Sequence, residues 1–179
     1  MNNIIIETER TLLREFNKDD YQAVFEFGSN KEVNKYTGDI TLESPQHAKE
    51  IIEDVWFSDY QKYGYGRWAV IYKPDNKIIG FAGLKYLPEV DETDIGFRFL
   101  PAYWGKGIAT EVSKEIIKYG FTKLNLTKII GIAMPKNIAS CRILEKIGLK
   151  FEKLDFYDKD NERFNWYSLN STSYNQLKI

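Results

Sequence analysis

Residues 94–110 combine a strand, a glycine-bearing loop and the start of a helix, in an order that favours binding of an anion. Gly105 and Gly107 lead directly into an amphipathic helical pattern, with Lys106 between them. The first N–H groups of a helix lack intrahelical partners, the helix dipole adds partial positive charge there, and glycines let a ligand approach the backbone closely. We therefore expect the phosphates of a ligand to bind to residues 104–110.

This loop fits neither of the two best-known nucleotide motifs. A Walker loop needs an earlier glycine and a Ser or Thr after the lysine, and Lys106 is followed by Gly107. A dinucleotide fingerprint needs a third glycine where Thr110 stands. An ordinary turn before a helix stays open as the alternative to a phosphate site.

A second segment, residues 137–148, has the pattern of a short capped helix. Asn137 is placed as the N-cap, Ser140 lies in the first turn, and Gly148 ends the helix. Helix capping accounts for these residue types in part. Asn137, Ser140 and Lys146 are also candidates for contact with the ligand of the first segment.

Length, charge and cysteine content narrow the class of protein. The 179 residues suit one domain, 1–179, and the formal net charge of −1 does not favour a nucleic-acid binder. The only cysteine, Cys141, excludes an internal disulfide. With one histidine, His47, a zinc site of ordinary ligand spacing is not expected. The first residues are too short an apolar run for a signal peptide or membrane span, so we expect a soluble cytoplasmic protein.

The elements that would position both segments are those of a single α/β domain. Hydrophobic periodicity and turn signals alternate between helical and strand patterns, without repeats or linkers. Predicted helices span about 17–34, 45–63, 107–124 and 137–146. Predicted strands span 11–16, 67–72, 77–84, 93–99, 128–134, 151–157 and 163–169, the last two around a polar turn at 158–161.

The two segments together resemble the GNAT superfamily of N-acetyltransferases, in the branch of the ribosomal-protein acetyltransferases RimJ and RimL. Residues 104–109, Trp-Gly-Lys-Gly-Ile-Ala, fall on the superfamily's acetyl-CoA motif Gln/Arg-x-x-Gly-x-Gly/Ala. Trp104 departs from the first position, but the form extending through Glu111 is typical of that branch. The later Asn-x-x-Ser…Lys-x-Gly-Leu signature matches Asn137, Ser140, Lys146, Gly148 and Leu149. The opening at 8–14 is typical as well.

The resemblance implies a fold and a co-substrate. It implies a mixed central sheet of about six to seven strands, splayed at the acetyl-CoA slot and flanked by about four helices. The pantetheine arm would pair with the main chain of the strand at 93–99, where a bulge would open the slot, and the pyrophosphate would bind the loop. The cofactor-binding residues implied are Phe97, Phe99, Leu100, Trp104, Gly105, Lys106, Gly107, Ile108, Ala109, Thr110, Asn137 and Lys146.

The implied reaction is direct attack of an amine on the thioester of acetyl-CoA. The amine must lose a proton and the leaving thiolate benefits from a donor. The resemblance nominates Asp94 as base through water and Ser140 as general acid. A solvated strand-edge carboxylate is the alternative for Asp94, with water alone as the base. We expect Cys141 to be a core residue and His47 a surface helix residue.

The acceptor is a primary amine of either a protein N-terminus or a small molecule. Aromatic side chains could surround an ammonium by cation–π contact, or could simply be core. The candidates are Tyr36, Tyr65 and Trp68, followed by Phe156 and Trp166. Two other functions stay open: a catalytically silent acyl-CoA-binding module, and a nucleotide-phosphate enzyme using the same loop. A homodimer is compatible with the resemblance, although the sequence indicates no interface.

Overall fold

A single sheet of eight strands runs through the protein in this computed structural model, which describes residues 3–37, 41–157 and 162–176. The strands, in chain order, are β1 (Ile4–Glu7), β2 (Thr11–Arg14), β3 (Arg67–Tyr72), β4 (Lys77–Leu87), β5 (Glu92–Phe99), β6 (Lys128–Ala133), β7 (Lys150–Phe156) and β8 (Arg163–Asn170). Their spatial order is β1-β2-β3-β4-β5-β6-β8-β7. This is the mixed α/β fold expected from the sequence. The eighth strand is β1, whose short run Ile4–Glu7 had no clear alternation.

Seven helices connect and cover the strands in the described residues. They are α1 (Tyr21–Gly28), α2 (Lys31–Asn34), α3 (Pro45–Glu50), α4 (Phe57–Tyr63), α5 (Ile108–Thr122), α6 (Ile138–Lys146) and α7 (Ser171–Gln176). Ser44 caps α3, and a π-helical turn, Ile51–Trp56, joins α3 to α4. The predicted helix at 45–63 is therefore confirmed.

The predicted helix at 17–34 is wrong in its continuity. It consists of a 3-10 turn, α1 and α2, with a break after Gly28. The side chain of Asn30 accepts hydrogen bonds from the backbone N–H groups of Glu32 and Val33, so it caps a new helix instead of continuing the old one. The predicted polar turn at 158–161 lies outside the described residues.

Apolar cores form on both faces of the sheet. On one face α5 packs its buried side chains, such as Ile116, against Trp68 and Ile129. On the other face the helices before β3 contribute a cluster that includes Phe27 and Trp56. The sheet is thus covered on both faces and its strands are fixed in position. No helix of the described residues is both long and apolar enough to span a membrane.

β5 and β6 diverge, and this divergence opens the sheet. They are the parallel pair, joined through α5, and they share only the register pair Asp94–Ile130. Every other neighbouring pair is antiparallel. The register of β5 with β4 is unbroken from Glu92 to Phe99. The opening therefore arises from separation of β5 from β6. The bulge expected in the strand at 93–99 does not appear in its register with β4.

Candidate active site

A cavity of about 690 Å³ lies where β5 and β6 separate. Its walls come from β5, from β6 and the following turn, from the start of α6, and from the helices before β3. Among the side chains that line it are Tyr36, His47, Arg67, Asp94, Phe97, Asn137 and Ser140. The cavity thus brings together five of the predicted site residues from three separate parts of the chain, namely Tyr36, Asp94, Phe97, Asn137 and Ser140.

Asp94 forms a buried ion pair in the cavity wall. The Arg67 guanidinium donates through Nη2 to Asp94 Oδ2 at 2.5 Å, and both side chains are only 11% exposed. Through Nη1, Arg67 also donates to the carbonyl oxygens of Gly83 at 2.5 Å and Asp94 at 3.2 Å. Asp94 Oδ1 is buried and has no hydrogen-bond partner among the described residues. One carboxylate oxygen is therefore held by Arg67, while the other is buried out of contact with solvent.

Burial raises the pKa of Asp94 above the ordinary value for an aspartate. Loss of hydration disfavours the charged carboxylate. The charge and hydrogen bond of Arg67 act in the opposite direction, but the effect of burial is larger. The balance is a carboxyl group that holds a proton more readily than a solvated aspartate, which is the direction that suits a general base.

Gly96 makes space for this ion pair. A Cβ added at Gly96 would lie 2.4 Å from Cζ of Arg67, so the guanidinium lies against the glycine backbone. Alternation along β5 places Asp94 and Gly96 on the same face of the strand. In the structure, the Arg67 side chain of β3 occupies this face. The alternation of residues along one strand cannot reveal a side chain that comes from another strand.

Asn137 and Ser140 lie at the start of α6. Oδ1 of Asn137 accepts from the backbone N–H of Ser140 at 3.2 Å, as expected for an N-cap. Ser140 is half-buried and its side chain lines the cavity. The hydroxyl thus stands at the positive end of a helix, where a developing anion is stabilised.

The predicted phosphate loop follows β5. Gly105 and Gly107 have φ angles of 71° and 77°, in the left-handed region that favours glycine, and Gly107 is the N-cap of α5. No backbone N–H of residues 105–110 donates to another described group outside α5 itself. These N–H groups without acceptors and the glycine conformations suit a phosphate. The loop itself does not line the 690 Å³ cavity.

Arg10 holds this loop from the turn between β1 and β2. Its Nη1 donates to the carbonyl oxygen of Lys106 at 2.8 Å, and its Nη2 lies 2.6 Å from Glu111 Oε2. Although burial acts to raise it, hydrogen bonds from Thr8 and Arg10 hold the pKa of Glu111 below its usual value. Glu111, known from the sequence only as a motif position, therefore connects the first turn of α5 to the sheet edge.

The predicted pantetheine edge is only partly available. The N–H of Leu100 already donates to the carbonyl oxygen of Ile79 at 2.9 Å. The carbonyl oxygen of Phe99 accepts from Nε1 of Trp104 at 2.7 Å. Phe97 lies further back along β5 and lines the cavity. The edge that faces the opening is thus the part of β5 after Asp94 and before Phe99.

Several predicted residues lie away from the cavity. Tyr65 is buried and hydrogen-bonded to Thr93, and Trp68 is buried against Tyr119 behind the sheet, so both are core residues. Phe156 is exposed and Trp166 is buried in a third small cluster, and neither lines the cavity. Lys146 is exposed at the last turn of α6. Lys146 lies nine positions after the N-cap Asn137, which corresponds to about 14 Å along the helix.

Three side chains of the site were not predicted from the sequence. Arg67 and Arg10 come from β3 and the first turn, and only the sheet register brings them to β5 and the loop. His47 was expected on the surface but is half-buried in the cavity wall. Its position after Pro45, on the inner side of α3, was the available signal. Cys141, which was expected in the core, is buried, and its Sγ accepts a hydrogen bond from Nδ2 of Asn165 at 3.5 Å.

The chemistry available in the cavity is that of polar side chains and backbone N–H groups. It offers a carboxylate, a hydroxyl and an open strand edge beside a separate anion loop. The described residues contain no group of three or more His, Cys, Asp or Glu side chains placed to hold a metal ion. Such a site can bind an extended, phosphate-bearing ligand and accept a proton from a second molecule.

Comparison with known proteins gives consistent matches over nearly the whole chain. The family model described as an acetyltransferase (GNAT) domain matches residues 10–150. The uncharacterized N-acetyltransferase YoaA of Bacillus subtilis is 33% identical over 149 residues, which is 83% of this chain and 84% of that protein. Residues 94–110 and 137–148, the two segments expected to bind a ligand, both lie within the residues that the family model matches.

Solved structures agree in fold. An acetyltransferase (GNAT family) from Bacillus anthracis superposes with a TM-score of 0.79 at 28% identity, covering 93% of this chain and 98% of that one. A spermidine N-acetyltransferase from Vibrio cholerae, solved with CoA and spermine, gives a TM-score of 0.75 at 19% identity, covering 92% and 98%. The second likeness concerns the fold alone.

Proposed function

Because this chain belongs to the GNAT acetyltransferase family and is an N-acetyltransferase, we propose that it transfers the acetyl group of acetyl-CoA to a primary amine at the opening between β5 and β6. The observation that carries the proposal is the divergence of these strands at Asp94–Ile130, which places an open strand edge, a buried carboxylate and a capped helix start around one cavity.

The phosphate loop and the free strand edge support acetyl-CoA as the donor. The N–H groups of residues 105–110 would hold the pyrophosphate, with Lys106 beside them. The backbone of Phe97 would pair with the pantetheine arm, and Asn137 would contact its thioester end. When bound, acetyl-CoA supplies an activated thioester carbonyl. GNAT acetyltransferases use acetyl-CoA, and the Vibrio cholerae neighbour was solved with CoA.

Asp94 and Ser140 have complementary roles in the proposal. The acceptor enters as an ammonium and must lose a proton before its nitrogen can attack. Asp94 takes this proton through a water, while Arg67 holds its Oδ2 in place. Ser140 donates toward the leaving thiolate, either through a water or by a hydrogen bond that stabilises its charge. The ammonium loses two protons in becoming an amide: the first passes through Asp94 to solvent before attack, and the second leaves the nitrogen after attack. The leaving thiolate takes up one proton, so each acetyl transfer releases one proton overall.

The acceptor is a primary amine of a small molecule or of a protein N-terminus. Tyr36 lines the cavity and offers an aromatic face to an ammonium. Tyr65 and Trp68 are excluded from this part of the proposal because they are core residues. The motif at 104–111 supports membership of the RimJ/RimL-like branch, and the single cysteine fits a reducing cytoplasmic setting.

A panel of amines tests the proposal directly. We expect thiol release from acetyl-CoA that depends on both the enzyme and an amine such as spermidine, a free amino acid or an N-terminal peptide. The matched controls are the N-acetylated forms of the same amines, which cannot accept a second acetyl group at the blocked nitrogen. A protein that binds acetyl-CoA but releases no thiol with any amine would instead be the catalytically silent acyl-CoA-binding module.

A further inference from the structure

The charged side chains in the cavity wall are unequally matched. Among the described residues that line the cavity, Arg67, Lys85 and Arg98 are cationic, and Asp94 is the only carboxylate. Asp94 is already bonded to the Arg67 guanidinium at 2.5 Å. The described part of the wall therefore contains no carboxylate that lacks a cationic partner.

Lys85 is the cation that the catalytic proposal has not used. It lies on β4 directly opposite Asp94 of β5. Residues directly opposite each other on antiparallel strands share a face and have Cβ atoms about 4.5–5.5 Å apart. Lys85 is half-buried and lines the cavity, and its ammonium forms no ion pair or hydrogen bond with another described residue. The donors of this ammonium are therefore available to a ligand in the cavity.

A purely structural role is the competing interpretation of Lys85. Burial raises the pKa of both Asp94 and Asp59, and the positive charge of Lys85 acts to lower both. Asp94 takes its direct hydrogen bond from Arg67, however, and Asp59 does not line the cavity. Balancing these two carboxylates explains a positive charge nearby, but it does not explain an ammonium that lines the cavity without a bonded partner.

Much of the remaining cavity wall is apolar. Leu87, Ile132 and Met134 line it from β4, β6 and the turn after β6, and Phe27 and Trp56 line it from the helices before β3. Pockets for small molecules are typically apolar with a few polar groups and have volumes of about 300–1,000 Å³. The cavity of about 690 Å³ thus suits a small molecule with an apolar body and an anionic group.

We propose that the acceptor is a free amino acid with an apolar side chain, bound through its carboxylate by the Lys85 ammonium. This assignment rests on the proposed acetyl transfer. An amino acid carries its amine on the carbon next to its carboxylate. Because Lys85 and Asp94 lie opposite each other, a carboxylate at Lys85 leaves the amine in the part of the cavity that Asp94 lines. The side chain of the amino acid packs against the apolar wall.

Other amines match this wall less well. A polyamine carries several positive charges, and each charge that leaves water needs a compensating partner. The described wall offers such an amine Asp94, which is already paired, and adds the like charge of Lys85. The amine at a protein N-terminus has a peptide group in place of the adjacent carboxylate, so it leaves Lys85 without an ion pair.

Matched pairs of amines test the assignment. Leucine, valine and phenylalanine are compared with isoamylamine, isobutylamine and phenethylamine, which lack only the carboxylate. We expect kcat/KM for thiol release from acetyl-CoA to be about tenfold to a hundredfold higher for each amino acid, as for a hydrogen bond to a charged group. A polyamine, a peptide or the decarboxylated amines preferred over all three amino acids would overturn the assignment and leave acetyl transfer intact. No thiol release with any amine would overturn the proposed function as well.

Lys85→Gln tests whether this lysine causes the preference. The variant should raise KM for the amino acids by about tenfold to a hundredfold and leave kcat/KM for the decarboxylated amines close to wild type. The amines of a pair differ in their own pKa, so the change in preference between the two proteins is the quantity that reports on Lys85. The matched control is Lys77→Gln, also on β4, because Lys77 pairs with Glu26 at 2.7 Å and does not line the cavity. It should keep the wild-type preference.

A lysine that only balances the two aspartates gives a different result. Lys85→Gln would then change kcat/KM by the same factor for both members of each pair, and that result would overturn the proposal. Lys85→Met, which keeps an unbranched side chain, must lose the preference in the same way. Circular dichroism and thermal unfolding confirm that each variant is folded.

Discussion

At the level of single residues, the ion pair of Arg67 and Asp94 distinguishes this cavity from an ordinary cleft. A carboxylate removed from water is costly unless it is paired and hydrogen-bonded. Arg67 supplies one partner for Oδ2, while Oδ1 has none among the described residues. The cavity wall therefore holds a carboxylate that Arg67 only partly compensates.

Replacing Asp94 tests its proposed role as the base. Asp94→Asn should lower kcat by about two to four orders of magnitude, the usual contribution of a general base, while CoA affinity changes little. Steady-state kinetics and calorimetric CoA titration measure the two quantities. Asp59→Asn is the matched control: Asp59 is also buried with a raised pKa and an unpartnered oxygen, but it does not line the cavity. Equal losses in both variants would argue against a catalytic role.

The pH dependence of Asp94 has a defined sign. Burial raises the pKa of its carboxyl, and a base acts only when deprotonated. We therefore expect kcat/KM to rise with pH through an apparent pKa above the ordinary aspartate value of 3.8. Asp94→Asn should lose this limb of the profile. If the pH dependence of kcat/KM had the same shape in the wild type and in Asp94→Asn, the rise with pH would instead reflect deprotonation of the acceptor amine.

Gly96 tests the packing that holds the pair. A Cβ at Gly96 would lie 2.4 Å from Cζ of Arg67, so Gly96→Ala must displace the guanidinium. Overpacking of this kind costs about 1–3 kcal/mol of unfolding free energy. The clash needs the Arg67 side chain, so Gly96→Ala should lower the unfolding free energy much less in a background that carries Arg67→Ala. Urea denaturation of the wild type, the two single variants and the double variant measures this difference. Additive effects would show that the two residues are not coupled.

The elements of this site could be predicted from local patterns, because a strand at 93–99 and a capped helix start at 137 can be identified without tertiary structure. The choice of Asp94 and Ser140 within them came from the resemblance to a known family. Arg67 belongs to a different strand, 27 residues earlier in the chain, and only the sheet register places it beside Asp94. Aromatic residues such as Tyr65 were misplaced because a core aromatic and a site aromatic look the same in a sequence.

At the level of secondary structure, the phosphate loop depends on left-handed glycines. Gly105→Ala should weaken CoA binding, because a left-handed alanine costs about 1–2 kcal/mol and the loop would move to relieve it. Gly64→Ala is the matched control, since Gly64 has a φ of 76° and, like Gly105, open space where a Cβ would lie. Both variants should lose similar stability, and only Gly105→Ala should raise the dissociation constant measured by calorimetry. Equal CoA affinities would place the phosphates elsewhere.

The contact between Arg10 and Glu111 should make stability depend on pH. The folded-state pKa of Glu111 is lowered, so its contribution is present above the unfolded pKa of about 4.5 and is lost as pH falls through the folded value. At pH 7 we expect Glu111→Gln to be less stable than wild type by about 0.5–1 kcal/mol, the range of a partly exposed pair. The difference should shrink toward pH 3.5 in denaturant titrations. A constant difference would mean that charge is not the cause.

Helices whose first and last residues have characteristic capping residues were predicted best. Ser44 and Pro45 define the start of α3, and Gly64 ends α4 with a left-handed conformation. The break before α2 was missed because Asn30 is compatible with both a helix interior and a cap, and tertiary packing decides between them. β1 was missed because its short segment gains its partner only from β2 at the sheet edge.

At the level of the whole molecule, the opening of the sheet is a property of topology. β5 and β6 are parallel neighbours in an otherwise antiparallel sheet, and they separate after one register pair. No local pattern of either strand predicts where they separate; the resemblance to a known family supplied that expectation. The expectation of a phosphate site at 104–110, by contrast, rests on the glycine positions and the following helix alone.

Thermal unfolding with acetyl-CoA, CoA, ATP and NAD in parallel tests the central claim most directly. A ligand at 100 times its dissociation constant adds about 2.7 kcal/mol of stability, which is roughly 5–10 °C in Tm for a chain of this size. We predict a shift of that order with acetyl-CoA and CoA and none with NAD or ATP at equal concentration. No shift with either CoA species, or a shift with ATP or NAD instead, would contradict an acetyl-CoA site at this loop and cavity.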